Sequence, residues 1–236
     1  KKEKMSKILT YMYLILNKSK GKEQINHKTF KQYGKGINLF NGVKDYFEKI
    51  NVYAQSKDVE LEHYIISSGM KEIIEGTDIK KYFKAIFASE FYYDENGVAV
   101  WPKIVIDYTA KTQYLFRINK GILNVWDDTE INKYKKEEDR YIPFSRMIYI
   151  GDGETDIPAM KIVKVNGGYS IAVYPPNKSK EKCKELLKQD RAQYIAKADY
   201  TENSDLYKLL QKIIDKISIE AQLKKLQQTI TTKENS

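Results

Sequence analysis

The order of strand-like and helix-like segments along the chain predicts an α/β protein, with a mostly parallel sheet and helices on both of its faces. Short apolar runs are typical of buried parallel strands, and five such segments occur. Stretches with apolar residues at three- and four-residue steps separate them, which indicates amphipathic helices. A chain of 236 residues is also long enough to enclose a full core in one or two domains.

The N-terminal half is predicted to alternate helices with two strands and one hairpin. The expected helices are residues 4–18, residues 27–50 with breaks near Gly34 and Gly42, residues 70–75, and residues 111–120. The expected strands are residues 62–69 and residues 83–89. Residues 91–101 alternate around Asn96-Gly97, a dipeptide that strongly favours the tight turn of a hairpin.

The C-terminal half continues the same alternation after a polar interruption. Residues 121–143 are polar and charged and are expected to form a surface insertion. Strands are expected at residues 147–150, residues 168–174 and residues 195–200, with a helix opened by Pro158 after the first of them. An amphipathic helix is expected over residues 206–217, and the polar segment from about Ala221 is expected to fray.

The most informative segment is the loop that follows the strand at residues 147–150. It reads Gly-Asp-Gly-Glu-Thr-Asp-Ile-Pro from Gly151 to Pro158, so that Asp152 and Asp156 are four residues apart. Ligands of open α/β sheets bind beyond the carboxyl ends of the strands, and paired carboxylates in a flexible loop suit Mg²⁺, which prefers oxygen ligands. The same residues would also serve a turn whose glycines and aspartates only shape the backbone and cap a helix.

A second group of polar residues, Ser67 and Ser68, closes the strand at residues 62–69. Hydroxyls and backbone N–H groups at such a strand end can hold phosphate oxygens, with help from the N-terminus of the following helix. Serine is equally favoured as a helix N-cap, so this position alone leaves both interpretations open.

The acidic loop from Gly151 to Pro158 resembles the fourth motif of the haloacid-dehalogenase-like (HAD) hydrolases, most of all that of their phosphoserine-phosphatase-like members. The string Tyr-Ile-Ile-Ser-Ser-Gly, residues 64–69, is similar to their second motif. Lys111, which lies between the two strings at the start of a helix, resembles the third motif. Lysines are common on helices, and Lys120 is a weaker candidate for the same position because it ends the helix.

The resemblance implies a three-layer sandwich with a Rossmann-like, mostly parallel sheet, a β-hairpin insertion and part of a helical cap. It implies a Mg²⁺-dependent phosphatase in which Asp152 binds the metal, and in which Ser67, with Ser68 as the alternative, binds the phosphoryl oxygens together with Lys111. Lys111 would also neutralise the charge of the nucleophile, and Asp156 would orient Lys111 or a metal-bound water in catalysis. The substrate would be a small phosphorylated metabolite. Its identity, which the cap would set, and the oligomeric state are left open.

The first motif of these enzymes, Asp-x-Asp-x-Thr, carries the nucleophilic aspartate and does not occur in the chain. In the family this motif ends a central strand, which would lie between the strand that ends at Ser67 and the strand that ends at Ile150. We therefore expect the nucleophile to precede Lys1, and the 236-residue chain by itself to be inactive. The alternative is a non-catalytic relative that binds a phosphorylated ligand or a protein partner.

The resemblance also divides the chain into three parts. Residues 1–36 would be part of the helical cap, residues 37–216 the α/β core without its first strand, and residues 217–236 a helical or flexible tail. Neither His27 nor His63 matches a motif position of the family, and His63 is expected to be structural.

Composition narrows the possible partners and location. Lysine and arginine outnumber aspartate and glutamate by 41 to 32, so the net charge is +9. A positive charge favours association with polyanions. The lysines are spread along the chain rather than clustered, which disfavours a nucleic-acid site. No apolar run approaches the length of a membrane span, and no signal peptide is recognisable. One cysteine, Cys183, between Lys182 and Lys184, is expected to be an exposed thiol and fits a reducing, cytoplasmic setting.

Overall fold

The protein is a mixed α/β molecule in the computed structural model, which describes residues 4–20, 22 and 25–234. The described helices are α1 (Lys7–Ser19), α2 (His27–Gly34), α3 (Val43–Gln55), α4 (Lys71–Glu75), α5 (Ala110–Lys120), α6 (Asp128–Asn132), α7 (Ile157–Val165), α8 (Glu181–Lys188) and α9 (Asp205–Glu234). The described strands are β1 (His63–Met70), β2 (Phe83–Tyr93), β3 (Ala99–Ile104), β4 (Ile148–Gly151), β5 (Tyr169–Tyr174) and β6 (Tyr194–Lys197). The predicted α/β class is therefore confirmed.

The first sheet joins β1, β2 and β3 in that order and contains the hairpin. β1 runs parallel to β2, and β2 runs antiparallel to β3. In the turn, the Asp94 carboxylate accepts hydrogen bonds from the backbone N–H groups of Asn96 and Val98. Gly97 adopts a φ of +73°, a conformation that glycine reaches without steric cost. The predicted hairpin is confirmed, and the strand expected over residues 83–89 continues into its first arm as the single strand β2.

The second sheet joins β4, β5 and β6, all parallel to one another. Ile150 lies opposite Ile171, and Ala172 lies opposite Ile195. β5 is the middle strand, and all of its residues except Tyr174 are buried. Burial on both faces explains why its sequence is an almost uninterrupted apolar run rather than an alternating one.

Two hydrophobic clusters pack on opposite faces of β5. Ile171 and Val173 belong to a cluster with α3 and α9, whereas Ala172 belongs to a cluster with α5 and α7. This division follows from strand geometry, because successive side chains point to opposite faces. A third, smaller cluster packs α1 and α2 against the hairpin, through residues such as Met12 and Phe91.

β1 and β4 are the end strands of their sheets, and a cavity of about 890 Å³ separates them. We refer to this cavity as the inter-sheet cleft; its lining includes Tyr64 and Ile66 of β1 and residues 148–150 of β4. The sequence led us to expect one sheet, whereas the described residues form two sheets of three strands each. The two sheets stay separate because no described strand pairs with the free edge of β1 or with the free edge of β4.

The C-terminal helix differs from the expectation. α9 continues to Glu234 instead of fraying near Ala221, and it passes residue 217 without a break. Its first half is anchored by buried side chains such as Leu210 and Ile214, whereas Leu223 in its second half is exposed.

The expectation of an exposed thiol at Cys183 is wrong, because the side chain is buried on α8 in the cluster with α5 and α7. Residues that are adjacent on a helix point in different directions, so the exposed Lys182 beside it says little about Cys183. Burial also raises the pKa of the Cys183 thiol, with a smaller contribution from the charge of Asp152.

Across the described ranges, no helix has both the length and the apolar character that crossing a bilayer requires.

Candidate functional site

The predicted acidic loop lies at the carboxyl end of β4. The strand ends at Gly151, a short 3₁₀ turn covers Glu154–Asp156, and α7 begins at Ile157 with Pro158 in its first turn. Proline is common in the first turn of a helix, because the backbone N–H that it lacks has no partner within the helix at that position. The loop therefore has the strand–loop–helix context that the sequence predicted.

Glycine is required at position 151 by its contact with Asp156. A Cβ atom on residue 151 would lie 2.6 Å from the Cβ and 2.7 Å from the Cγ of Asp156. Those atoms are close to the Asp156 backbone and cannot swing away as the end of a long side chain could. Gly151 thus lets the Asp156 carboxylate fold back against the end of the strand.

The centre of the site is an ion pair between Lys111 and Asp156. The Lys111 ammonium donates to Asp156 Oδ1 at 2.6 Å, and both residues are buried. The same oxygen accepts from the Tyr149 hydroxyl at 2.7 Å, and Oδ2 accepts from the Gly153 N–H at 3.0 Å. A carboxylate that accepts three hydrogen bonds holds its orientation, so Asp156 fixes the Lys111 side chain at the start of α5.

Tyr149 is a member of this cluster that the sequence reasoning missed. Burial raises the pKa of the Tyr149 phenol, and the neighbouring Asp156 carboxylate raises it further, so Tyr149 remains a neutral donor. One signal was present, because a tyrosine in a buried strand usually needs a polar partner for its hydroxyl. The sequence did not show that this partner is Asp156.

The loop has two exposed carboxylates, Glu154 and Asp152, and the Glu154 carboxylate lies 3.7 Å from the Lys182 ammonium. The charge of Asp152 contributes, after burial, to raising the pKa of Tyr200 to about 12. Asp156 is buried and bonded within the protein, so the exposed carboxylates, Asp152 among them, are the loop side chains that a metal could reach. The described part of the chain contains no group of three or more acidic, histidine or cysteine side chains placed to hold a metal. Mg²⁺ often uses only one or two carboxylates beside water and phosphate, so Asp152 fits such an ion with ligands from elsewhere.

Ser67 and Ser68 lie at the carboxyl end of β1. The Ser67 hydroxyl accepts the Gly69 N–H at 3.0 Å within its own turn. Neither serine is an N-cap, because α4 is preceded by Met70 and has no side-chain cap, so this alternative interpretation is wrong. The Ser68 Oγ is buried without a hydrogen-bond partner among the described residues, while its backbone carbonyl accepts the Tyr11 hydroxyl at 2.7 Å.

An unpaired buried hydroxyl costs about 1–3 kcal/mol, so native proteins rarely keep one without a reason. The Ser68 hydroxyl therefore marks a place where a polar ligand could form the missing hydrogen bond. Ser68, the alternative to Ser67 as a phosphate ligand, therefore remains a candidate beside it.

The serines and the Lys111 pair lie at the same edge of the two sheets. Met70, at the end of β1, is in register with Ser89 of β2, and the Ser89 hydroxyl accepts the N–H of Ile106 just before α5. α5 then places Lys111 beside Asp156. In the described ranges, no side-chain hydrogen bond joins Ser67 to Lys111, so the two groups share an edge without contact.

The structure also accounts for the other candidate residues. Lys120 donates to the backbone carbonyls of Ile131 and Lys133, so its charge holds the segment after α5 and takes no part in the site. His63 lines the inter-sheet cleft and hydrogen-bonds to Asn51 at 2.8 Å, and burial lowers its pKa to about 4.

Comparison with known proteins shows a distant similarity to a bacterial protein. The chain is 27% identical to an uncharacterised protein of Borreliella burgdorferi over 212 residues, which cover 81% of this chain and 72% of that protein. No family model matches the chain. At 27% identity this similarity does not by itself place the chain in a family.

Proposed function

We propose that the protein is a Mg²⁺-dependent phosphomonoester hydrolase of the HAD type, acting on a small phosphorylated metabolite through an aspartyl-phosphate. The observation that carries the proposal is the buried Lys111–Asp156 pair next to the exposed Asp152, at the carboxyl end of β4. The resemblance of three sequence motifs supports it, since all three lie at one edge of the two sheets.

Lys111 would contribute a fixed positive charge to the site. Its ammonium is buried and held by Asp156, so it does not have to reorganise when negative charge develops on a phosphoryl group. Electrostatic stabilisation is stronger in such a poorly solvated place than in water. The free hydroxyl of Ser68, or that of Ser67, would donate to a phosphoryl oxygen from the other side of the edge.

Mg²⁺, when bound, would offset the repulsion between the phosphate and the attacking carboxylate. Asp152 is the residue of this chain that would hold it. The nucleophilic aspartate would be supplied by a segment N-terminal to Lys1, and the 236 residues alone would be inactive. The two sheets would then form the middle layer of a three-layer sandwich. Helices α3 and α9 would cover one face of β5, and α5 and α7 would cover the other. Residues 1–36 would be part of the cap.

The direct test is phosphate release by the full-length polypeptide. Asp152→Asn is expected to abolish Mg²⁺-dependent hydrolysis of an aryl phosphate, because the neutral amide is a poor Mg²⁺ ligand. Asp128→Asn, at a highly exposed carboxylate on α6, is the matched control and should leave the rate unchanged. Unchanged turnover of the Asp152→Asn protein, or no turnover of any aryl phosphate or metabolite phosphate by the full-length protein, would refute the proposal.

A second candidate is a non-catalytic protein that binds a phosphorylated ligand or a protein partner. The observation that favours it is the absence of an Asp-x-Asp-x-Thr string from the 236 residues. Such a protein would bind inorganic phosphate or a phosphate ester without releasing product. Isothermal titration of the full-length protein with phosphate, run beside the turnover assay, separates the two candidates.

A further inference from the structure

The second half of α9 carries a line of exposed apolar side chains, which we call the α9 stripe. It consists of Ile219, Leu223, Leu226 and Ile230, with exposed fractions of 56%, 59%, 56% and 49%. We propose that the α9 stripe pairs with the α9 stripe of a second copy of this chain, as a short antiparallel coiled coil. The proposal goes beyond the hydrolase activity, because it concerns assembly and is tested without turnover.

The helix that carries the stripe leaves the body of the protein. Buried side chains such as Leu210 and Ile214 hold the first half of α9 in the core, and the Ser218 hydroxyl donates to the Lys57 carbonyl at 2.7 Å. Residues 222–232 are all exposed, so this part of α9 projects from the body. Starting a helix is the unfavourable step, and the anchored half has already supplied it. The stripe is therefore presented on a helix that is formed before any partner binds.

The spacing of the stripe is that of a coiled-coil seam. Its four positions are separated by four, three and four residues, which is the alternation of the a and d positions of a heptad. At 3.6 residues per turn, all four directions fall within an arc of about 60°. A helix that packs on a broad apolar surface has an apolar face of about 100° or more. The narrow stripe therefore fits one partner helix better than a lipid surface.

The stripe is complementary to a copy of itself that runs in the opposite direction. Ile219 then lies opposite Ile230 of the second copy, and Leu223 lies opposite Leu226 of the second copy. All four layers of the contact are apolar, and both copies cover the same four side chains. Such a contact uses one surface twice and closes as a two-fold dimer, the commonest form of protein oligomer.

The polar residues beside the stripe favour the antiparallel direction over the parallel one. In an antiparallel pair, Glu220 lies beside Gln227 of the second copy, and Gln222 lies beside Thr229 of the second copy, so no like charges meet. In a parallel pair, Asp215 would lie beside Glu220 of the second copy, and the two carboxylates would repel each other. Charge therefore selects the direction of pairing.

The length of the stripe sets the expected strength of the dimer. From Ile219 to Ile230 the helix rises by about 16 Å. A contact between two helices of this length is smaller than the interface of about 1,200 Å² that stable complexes usually have. We therefore expect a reversible dimer with a Kd on the order of 10–100 µM.

The test is the assembly state of the full-length protein, measured by sedimentation velocity from about 1 µM to about 300 µM. Leu223→Gln combined with Leu226→Gln is expected to raise the Kd of the dimer at least tenfold. Both leucines are exposed in the monomer and glutamine favours helix, so this variant should keep the Tm of the natural protein at the lowest concentration. The matched control is Lys224→Gln combined with Lys225→Gln, beside the stripe on the same turn, which should keep the natural Kd.

Disulfide cross-linking tests the direction. Gln222→Cys combined with Thr229→Cys places two thiols next to each other in an antiparallel dimer, so mild oxidation should link most of the protein. Gln222→Cys combined with Gln227→Cys has the spacing of a parallel pair and should stay largely unlinked. The natural Cys183 is buried and is not expected to form a link in either protein.

Four results would overturn the proposal. They are a protein that stays monomeric at about 300 µM, and a dimer whose Kd does not change in the double glutamine variant. The third is linking of the Gln227→Cys pair instead of the Thr229→Cys pair, which would exclude the antiparallel direction. The fourth is a monomer that binds vesicles of phosphatidylglycerol and phosphatidylcholine through the two leucines, which would make the stripe a lipid-binding surface. None of these results depends on hydrolysis, so the phosphatase proposal can fail or succeed separately.

Discussion

β5 and the pair β1 and β4 have similar apolar sequences, but their environments differ. β5 has a strand on each side and is almost entirely buried, whereas β1 and β4 each have one free edge and are largely half-buried. The segments Tyr64–Ile66 and Ile148–Ile150 are as apolar as the middle of β5. The difference shows that an apolar run predicts a strand, while the burial of that strand depends on which neighbours it finds.

The comparison also separates two parts of β4. Its edge faces the inter-sheet cleft, yet its carboxyl end holds the fully buried Lys111–Asp156 pair. The site is therefore closed by packed side chains on the side of α5 and α7 and open on the side of the cleft. The following predictions test this contrast, in order of decreasing effect.

The largest effect is expected where the edge strand meets the buried pair. Asp156→Ala should destabilise the protein by about 3–5 kcal/mol, because it leaves the Lys111 ammonium buried without its counter-ion. Lys111→Met combined with Asp156→Leu should cost much less than the sum of the two single changes. Glu130→Ala, in an exposed pair with Lys133, is the control and should cost less than about 1 kcal/mol. Urea unfolding of these variants, including Lys111→Met and Asp156→Leu singly, measures the differences, and additive single changes would mean that the pair is not coupled.

The comparison between strands is tested directly by two matched truncations. Ile171→Ala in β5 should cost about 2–5 kcal/mol, because the side chain is fully buried. Ile150→Ala in β4, the residue opposite it, should cost only about 1 kcal/mol, because the side chain is half-buried beside the cleft. Equal losses in chemical denaturation would show that the cleft is closed in solution.

The start of β1 should make stability depend on pH. Burial lowers the pKa of His63 to about 4 from 6.5, so the folded protein keeps the ring neutral while the unfolded chain takes up a proton. The free energy of unfolding therefore decreases by up to about 3 kcal/mol as the pH falls from about 6.5 to about 4. Above this range, the contribution of His63 to stability does not change with pH. His63→Gln, which keeps an amide opposite Asn51, should show a flatter profile over this window. Urea unfolding of the natural protein and of the His63→Gln protein across this pH window measures the difference.

The smallest of these effects is expected at the end of β4. Gly151→Ala should cost about 1–3 kcal/mol, because its Cβ would overlap the Asp156 side chain and displace it from Lys111. Gly36→Ala is the control, since its Cβ would meet only the Tyr33 carbonyl at 3.9 Å. Thermal unfolding of both variants measures the difference. A Gly151→Ala protein as stable as the Gly36→Ala protein would show that the loop can shift freely.

Features set by neighbours in the sequence were predicted well. The hairpin follows from Asn96-Gly97, and the helix after the acidic loop follows from Pro158. The placement of Lys111 near Asp156 was expected from the family resemblance, and the structure puts these side chains in contact. The partner of the Tyr149 hydroxyl and the free hydroxyl of Ser68 were not predicted, because each depends on atoms that are brought together only by packing.

The sequence by itself determined the approximate positions of the strands, of the hairpin and of the helix after the acidic loop, because backbone preferences and apolar periodicity act over a few residues. It also determined the composition of the acidic loop, since its carboxylates and glycines lie within eight positions of one another. The tertiary structure alone decided that the strands form two sheets with a cleft between them, that Cys183 is buried, and that α9 continues to Glu234. These outcomes depend on which distant surfaces meet, and hydrophobic burial favours contact between apolar surfaces without specifying the partner.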